Sequence, residues 1–100
     1  MLESTYEVCL EYELNKIGLK VERQKELPVD YDILKLDAGY RIDLLVENQI
    51  MLELKSDKAI DPIHKAQIMR YLKLLGLNLA LRLNFNVMDL KKGINRFVMW

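Results

Sequence analysis

The chain has 100 residues, of which 51% are hydrophobic and 30% charged, and its 15 basic and 15 acidic side chains give zero net charge. This mixture fits one small globular domain and excludes a disordered chain, while no apolar run reaches the roughly 20 residues of a membrane-spanning helix. The first residues predict no signal peptide, and a single cysteine excludes an intramolecular disulfide and favours a reducing, cytoplasmic compartment.

The first predicted element is a helix over residues 3–17. Apolar residues recur at helical spacing from Leu2 to Ile17, and Gly18 follows as the C-terminal cap. Cys9 falls on the apolar face of this helix, so we expect it to be a buried structural thiol.

Extended segments follow this helix. Residues 19–31 predict a strand, and a turn near Asp32 leads to a short extended piece. Residues 40–46 and 50–56 predict two strands joined by a tight turn, which is a β-hairpin.

The hairpin carries charged residues within apolar runs. Asp43 lies on its first strand, and Glu53 and Lys55 share one face of its second strand. Burying a charge is costly unless the charge is paired or binds a metal. Two carboxylates and one ammonium at this place therefore suit a hard divalent cation and a phosphate.

The length of the hairpin loop decides which side chains meet. A three-residue loop over residues 47–49 places Asp43 across from Glu53. The same register places Arg41 across from Lys55, with all four side chains on one face. A two-residue loop would instead place Asp43 on the face opposite Glu53, because a slip of one residue moves every side chain to the other face. Two carboxylates about 4–5 Å apart repel by roughly 3–4 kcal/mol at an effective dielectric near 20. A cation relieves this repulsion, but a salt-bridged pair on a half-exposed sheet explains the same pattern.

The second half of the chain predicts a helix and two strands. Asp61 caps the helix, Pro62 takes its first position, and Gly76 ends it. Residues 77–85 predict an interior strand, and residues 94–100 a final strand after a loop. The helix is long enough to connect parallel strands. The order α-β-β-β-α-β-β thus predicts an α/β fold, with a mixed central sheet flanked by two main helices.

One face of the second helix carries His64, Gln67 and Tyr71, which are spaced by three and four residues. Such side chains can hydrogen-bond a phosphate or a carboxylate ligand, although an ordinary polar face gives the same spacing. A different set of residues is free to pack on the sheet: Ile63, Ala66, Met69 and Leu72.

The charges are unevenly placed along the chain. Residues 1–54 carry 6 basic and 12 acidic side chains, whereas residues 55–100 carry 9 basic and 3 acidic ones. The basic half allows a local positive surface for a polyanion despite the neutral total. A solvated surface of mixed charge explains the asymmetry equally well, because residues distant in sequence can lie side by side.

Taken together, these residues resemble the PD-(D/E)XK nuclease superfamily, whose core is a helix, three strands, a helix and a strand. More closely, the chain is similar to the GxxExxY family within it. The segments that carry the resemblance are Leu2-Glu3-Ser4-Thr5-Tyr6-Glu7, Val21-Glu22-Arg23-Gln24, Gly39-Tyr40-Arg41-Ile42-Asp43-Leu44-Leu45-Val46, Glu53-Leu54-Lys55, His64-Lys65-Ala66-Gln67, Tyr71-Leu72 and Asn84-Phe85. The motif glycine falls before Met1, so we expect a single nuclease-like domain over residues 1–100 without the family's N-terminal segment.

The resemblance implies a Mg²⁺-dependent nuclease that acts on DNA or RNA, with Mn²⁺ as a substitute metal. Asp43 and Glu53 would hold the metal, helped by the Leu54 backbone carbonyl and waters. Glu3 would reach in as an outer or second metal ligand. Lys55 would orient the attacking water and stabilise the charge that grows on the phosphate.

The resemblance also implies residues that bind the substrate. Gln67 and Tyr71 would position the scissile strand or a water molecule, and Arg41 would clamp a neighbouring phosphate. Further basic residues surround this helix face: Lys65, Arg70 and Lys73.

Two other interpretations stay open. The first is a nuclease-fold module that binds nucleic acid or a partner protein without turnover. The second is a structural domain that forms a homodimer through an exposed sheet edge. Metal titration separates them, because the structural domain needs no metal site and the binding module binds metal without cleavage.

Overall fold

The computed structural model describes residues 3–26, 41–56, 62–85 and 93–99. The helices and strands are α1 Glu3–Lys16, β1 Val21–Glu26, β2 Arg41–Val46, β3 Ile50–Lys55, α2 Pro62–Leu75, β4 Leu79–Asn84 and β5 Ile94–Val98. Their order confirms the predicted one. The predicted turn near Asp32 and the Asp61 cap lie outside the described residues.

The two helices end just before Gly18 and Gly76, as predicted from the sequence. Gly18 and Gly76 have φ angles of 92° and 70°, a left-handed conformation that costs glycine little. Directly after Gly18, the Leu19 N–H donates to the Leu14 carbonyl at 3.1 Å. This bond satisfies one of the free carbonyls at the end of α1. A corresponding bond closes α2, where the Leu77 N–H donates to the carbonyl of the residue five positions earlier.

The five described strands form one mixed sheet in the order β1-β2-β3-β4-β5. Strands β3 and β4 are parallel and are connected through α2, whereas the other neighbouring pairs are antiparallel. The parallel crossover and the mixed sheet are therefore confirmed. Successive residues of a strand face opposite sides, so the sheet carries one apolar core under each helix.

The two cores have distinct members. The core under α1 contains Leu44, Val46 and Leu52, packed against Leu10 and Leu14 of the helix. The core under α2 includes Met51, Ala80, Ile68, Tyr71, Leu72 and Phe97. These layers fix the position of both helices over the sheet.

Helix α1 contacts the sheet through a narrower stripe than expected. Glu7 is its buried residue, and Leu10 and Leu14 are half-buried against the sheet. Cys9 is exposed, so the prediction of a buried thiol was wrong. The reason is rotational, because consecutive helical residues are turned by about 100° and only one stripe can meet the sheet.

Helix α2 is also turned relative to the expected packing. Ile63 is 72% exposed and Ala66 is exposed, so neither packs on the sheet as predicted. Leu72 is buried and Met69 packs against the core under α2, which confirms these two predictions, and the helix also buries Ile68 and Tyr71. Of the three residues on the predicted polar face, Tyr71 is therefore buried and Gln67 half-buried, whereas His64 is exposed.

The β2–β3 hairpin is confirmed, and of the two loop lengths that the sequence left open it has the three-residue one, because Val46 pairs with Ile50. Glu47 and Asn48 both have a φ angle of 54°, and the Gln49 N–H donates to the Val46 carbonyl at 2.9 Å. Positive φ is uncommon outside glycine, and Asn tolerates it best. The loop length sets the register of both strands and thus the level at which their charged residues lie.

Candidate active site

One level of the sheet carries polar residues on all five strands. Glu53 of β3 is aligned with Arg82 of β4, and Arg82 with Asn95 of β5. Continuing the registers on the other side brings Asp43 and Gln24 to the same level. A polar row across the middle of a sheet is costly to bury unless its members find partners, so this row is the candidate site.

Asp43 is held directly against the neighbouring strand. Its Oδ2 atom accepts a hydrogen bond of 2.8 Å from the Leu54 N–H. The regular β2–β3 pairing ends next to it, at Leu44 and Leu52, so a carboxylate takes the place of a backbone acceptor. This bond fixes the Asp43 side chain beside the segment that contains Glu53 and Lys55.

A second carboxylate, from Glu7 of α1, lies on the same side. Glu7 is 6% exposed, and Gln24 Nε2 donates to both of its oxygens, at 2.8 and 2.9 Å. The same nitrogen lies 3.5 Å from Asp43 Oδ1. One amide group therefore connects a helix carboxylate with a strand carboxylate.

The surroundings of Glu7 disfavour its charge. Burial raises the pKa of the Glu7 carboxyl, and the nearby Asp43 charge raises it further. The hydrogen bond from Gln24 and the charge of Arg23, whose Nε lies 3.8 Å away, act in the opposite direction. Burial has the largest effect, so the pKa of this group lies above its ordinary value of 4.5.

Gln24 reaches this position through an unusual backbone. Its φ angle is 55°, and the pairing of β1 with β2 has a gap at Gln24 between the residues on either side. The preceding Arg23 already points towards α1, since its Nε lies 3.8 and 3.9 Å from Glu7 and Glu11. In a regular strand Gln24 would point away. The left-handed conformation, which costs about 1–3 kcal/mol, lets it reach the same side.

The structure separates Asp43 from Glu53, which the register alone had placed on one face. Ile42 and Leu45 both belong to the core under α2, although residues three apart in a regular strand face opposite sides. Alternation is thus broken at Asp43, whose carboxylate turns towards α1 and Gln24. Glu53 follows Met51 in regular alternation and faces α2.

Glu53 lies on the wall of a small cavity under α2. It is 3% exposed, and Lys55, His64, Gln67 and Arg82 line the same cavity. The structure therefore brings together the predicted Glu53, Lys55 and Gln67. The Leu54 backbone between Glu53 and Lys55 connects this cavity with the Asp43 side of the sheet.

A family model of the PD-(D/E)XK nuclease superfamily matches residues 1–97. The chain belongs to the PD-(D/E)XK nuclease superfamily. Neither the curated proteins nor the solved structures give a match. Members of this superfamily bind nucleic acid and generally use divalent metal ions, whereas the narrower similarity to the GxxExxY family stays a prediction.

Three residues that the structure places at this site, Glu7, Gln24 and Arg82, were not predicted from the sequence. Glu7 was passed over in favour of Glu3, which is exposed at the start of α1 one turn earlier. The ring of Tyr6 stacks on Phe85 with centroids 4.2 Å apart and fixes this end of α1.

Arg82 is 1% exposed, with an Nη1 atom 3.5 Å from Asn95 Oδ1. A charged residue inside an apolar strand was the available signal for Arg82.

The predicted substrate residues lie in different environments. Arg41 is exposed and pairs with Glu26 at 3.1 Å. Tyr71 is 1% exposed within the core under α2, so its ring contacts the sheet and is closed to a substrate. The basic residues of α2 remain at least partly exposed: Lys65, Arg70 and Lys73.

The donor set of the α1 side fits a hard divalent cation. Mg²⁺ prefers oxygen ligands and is often held by one or two carboxylates together with waters, and Glu7 and Asp43 supply such a pair. Within residues 3–26, 41–56, 62–85 and 93–99, no group of three or more His, Cys, Asp or Glu side chains is close enough to hold a metal. Glu53 is thus not close enough to Glu7 and Asp43 to form a group of three carboxylates with them.

The same described ranges contain no helix that is both long enough and apolar enough to cross a membrane.

Proposed function

We propose that this domain is a metal-dependent nuclease that hydrolyses phosphodiester bonds of DNA or RNA, with Mg²⁺ as its metal. The observation that carries this proposal is the position of Asp43. Its carboxylate is bonded to the Leu54 N–H at 2.8 Å and shares the Gln24 amide with Glu7. Acidic side chains of β2 and α1 thereby meet the Glu53-Leu54-Lys55 segment of β3.

The proposed metal ligands are the carboxylates of Asp43 and Glu7. The Leu54 carbonyl would supply a further oxygen from β3, Glu53 adds its negative charge from the cavity on the α2 side, and Glu3 keeps only the role of an outer ligand. A bound divalent metal lowers the pKa of a coordinated water and neutralises charge on the phosphate. The hydrogen bond from the Leu54 N–H orients the Asp43 carboxylate for this task.

Lys55 and Gln67 are proposed to act on the substrate from the α2 side. Both line the cavity that contains Glu53. The Lys55 ammonium stabilises negative charge that develops on the phosphate, and a single such donor is worth about 10²–10³ in rate. Gln67 positions the scissile strand or a water molecule by hydrogen bonding.

The proposed path of the nucleic-acid backbone follows the basic groups around this site. Arg41 is exposed at the start of β2, next to the Asp43 level. The basic residues of α2 extend this path: Lys65, Arg70 and Lys73. Tyr71 supports the path indirectly, because its buried ring holds α2 against the sheet.

A cleavage assay tests the proposal. Linear, circular and single-stranded DNA and RNA are incubated with the chain, with and without Mg²⁺ or Mn²⁺. We expect cleavage that requires metal and disappears in Asp43→Asn, which keeps the size of the side chain. Metal-dependent binding without cleavage of any substrate would instead favour a nuclease-fold binding module.

A further inference from the structure

We propose that Gln24 is a built-in stand-in for the metal, because its amide nitrogen occupies the place between Glu7 and Asp43 that the cation takes. The amide holds the two carboxylates together in the metal-free domain and leaves when metal binds. This inference rests on the metal site of the proposed function and adds to it a residue that opposes metal binding.

Gln24 Nε2 contacts the same carboxylate oxygens that a cation shared by Glu7 and Asp43 would contact. The nitrogen lies 2.8 and 2.9 Å from the two oxygens of Glu7 and 3.5 Å from Asp43 Oδ1. A divalent cation shared by these carboxylates needs the same oxygens, at about 2.0–2.1 Å for Mg²⁺. The amide hydrogens carry partial positive charge, so they repel a cation at this position. Amide and metal therefore exclude each other.

The backbone of Gln24 serves this contact. Its φ angle of 55° lies in the left-handed region, which a non-glycine residue adopts only when its surroundings hold it there. That conformation brings the side chain to the side on which Arg23 also contacts α1. In regular alternation the Gln24 side chain would lie on the opposite side of the sheet, away from Glu7.

Gln24 can also leave without disturbing either core. It lies on β1, which is an end strand of the described sheet, and it is exposed. Neither apolar core includes it. The side chain can therefore turn into solvent while Glu7 and Asp43 keep their positions.

Because the Gln24 amide and the metal exclude each other, Gln24 lowers the affinity of the site for the metal. Metal binding has to break the hydrogen bonds from the amide to Glu7, and bonds to a charged group are stronger than neutral ones. Removing the amide removes this cost. We expect about tenfold tighter metal binding without it, which corresponds to the free energy of one such bond.

The test compares Gln24→Met with Gln49→Met, a control with the same substitution at an exposed position in the β2–β3 turn. Free Mn²⁺ is measured by electron paramagnetic resonance during titration of each protein, and thermal melts are recorded with and without Mn²⁺. We expect Gln24→Met to bind Mn²⁺ about tenfold more tightly, to melt lower without metal, and to gain more from Mn²⁺ than wild type. The control should behave as wild type.

The outcomes separate this inference from the proposed function. If wild type binds Mn²⁺, Glu7→Gln removes the binding and Gln24→Met binds equally or more weakly than wild type, the stand-in role is overturned and the metal site stands. If no protein binds Mn²⁺ at millimolar concentration, both proposals fail. Should Gln24→Met not fold, Gln24→Ala removes the same donor, and its unchanged affinity overturns the inference in the same way.

Discussion

Glu7 and Glu3 offer a comparison within one helix. Both are glutamates of α1, one turn apart, but Glu7 is buried beside Asp43 and Glu3 is exposed. Glu7→Gln and Glu3→Gln therefore remove the same charge from the same helix. If Glu7 is a direct metal ligand and Glu3 at most an outer one, Glu7→Gln should weaken metal binding far more than Glu3→Gln.

The expected size follows from linkage. A ligand at one hundred times its dissociation constant stabilises the folded state by about 2.7 kcal/mol. In a domain of about 100 residues, each kcal/mol moves Tm by roughly 4–8 °C, so Mn²⁺ should raise the wild-type Tm by about 10–20 °C. A hundredfold loss of affinity in Glu7→Gln leaves only about 0.4 kcal/mol at the same concentration, which is a shift of about 2–3 °C.

The assay is a thermal melt of wild type, Glu7→Gln and Glu3→Gln at several Mn²⁺ concentrations. Burial disfavours the Glu7 charge, so we expect the metal-free Tm of Glu7→Gln to stay near that of wild type. A full Mn²⁺ shift in Glu7→Gln, together with its loss in Glu3→Gln, would refute the assignment. The exposed Glu3 at the start of α1 would then be the ligand.

Three further predictions concern charge. Lys55→Ala should keep the Mn²⁺ affinity of wild type and lower the cleavage rate by about 10²–10³; full activity in this variant would place the chemistry elsewhere. Because the pKa of Glu7 is raised on folding, its contribution to stability is present below the unfolded pKa and is lost as pH rises through the folded pKa. Without metal, the Tm of wild type minus the Tm of Glu7→Gln should therefore become smaller as pH is raised above about 4. A difference that grows with pH would contradict the effect of burial on Glu7. The third prediction concerns a triple alanine variant of Lys65, Arg70 and Lys73, tested by oligonucleotide binding at several salt concentrations. The log–log slope of affinity against salt should fall by about 0.7–0.9 for each phosphate that the variant no longer neutralises. An unchanged slope would show that this surface does not contact nucleic acid.

Local sequence determined the elements and their connections. Gly18 and Gly76 end the helices because glycine adopts the left-handed cap at little cost. Residues 40–46 and 50–56 predicted the hairpin, and its three-residue loop, one of two lengths that the sequence allowed, fixes the pairing of Val46 with Ile50. The helix ends and the hairpin depend on neighbours within a few residues, so spacing and residue type were enough to predict them, and the family resemblance rests on the same local motifs.

Tertiary structure decided which side chains meet. The rotation of α1 on the sheet selects Glu7 instead of Glu3, and the rotation of α2 buries Tyr71. The break of alternation at Asp43 and the left-handed backbone of Gln24 depend on contacts between α1, β1, β2 and β3. A periodic pattern gives the spacing of residues along a helix or strand, but its rotation and local irregularities follow from packing and hydrogen bonding with elements distant in sequence.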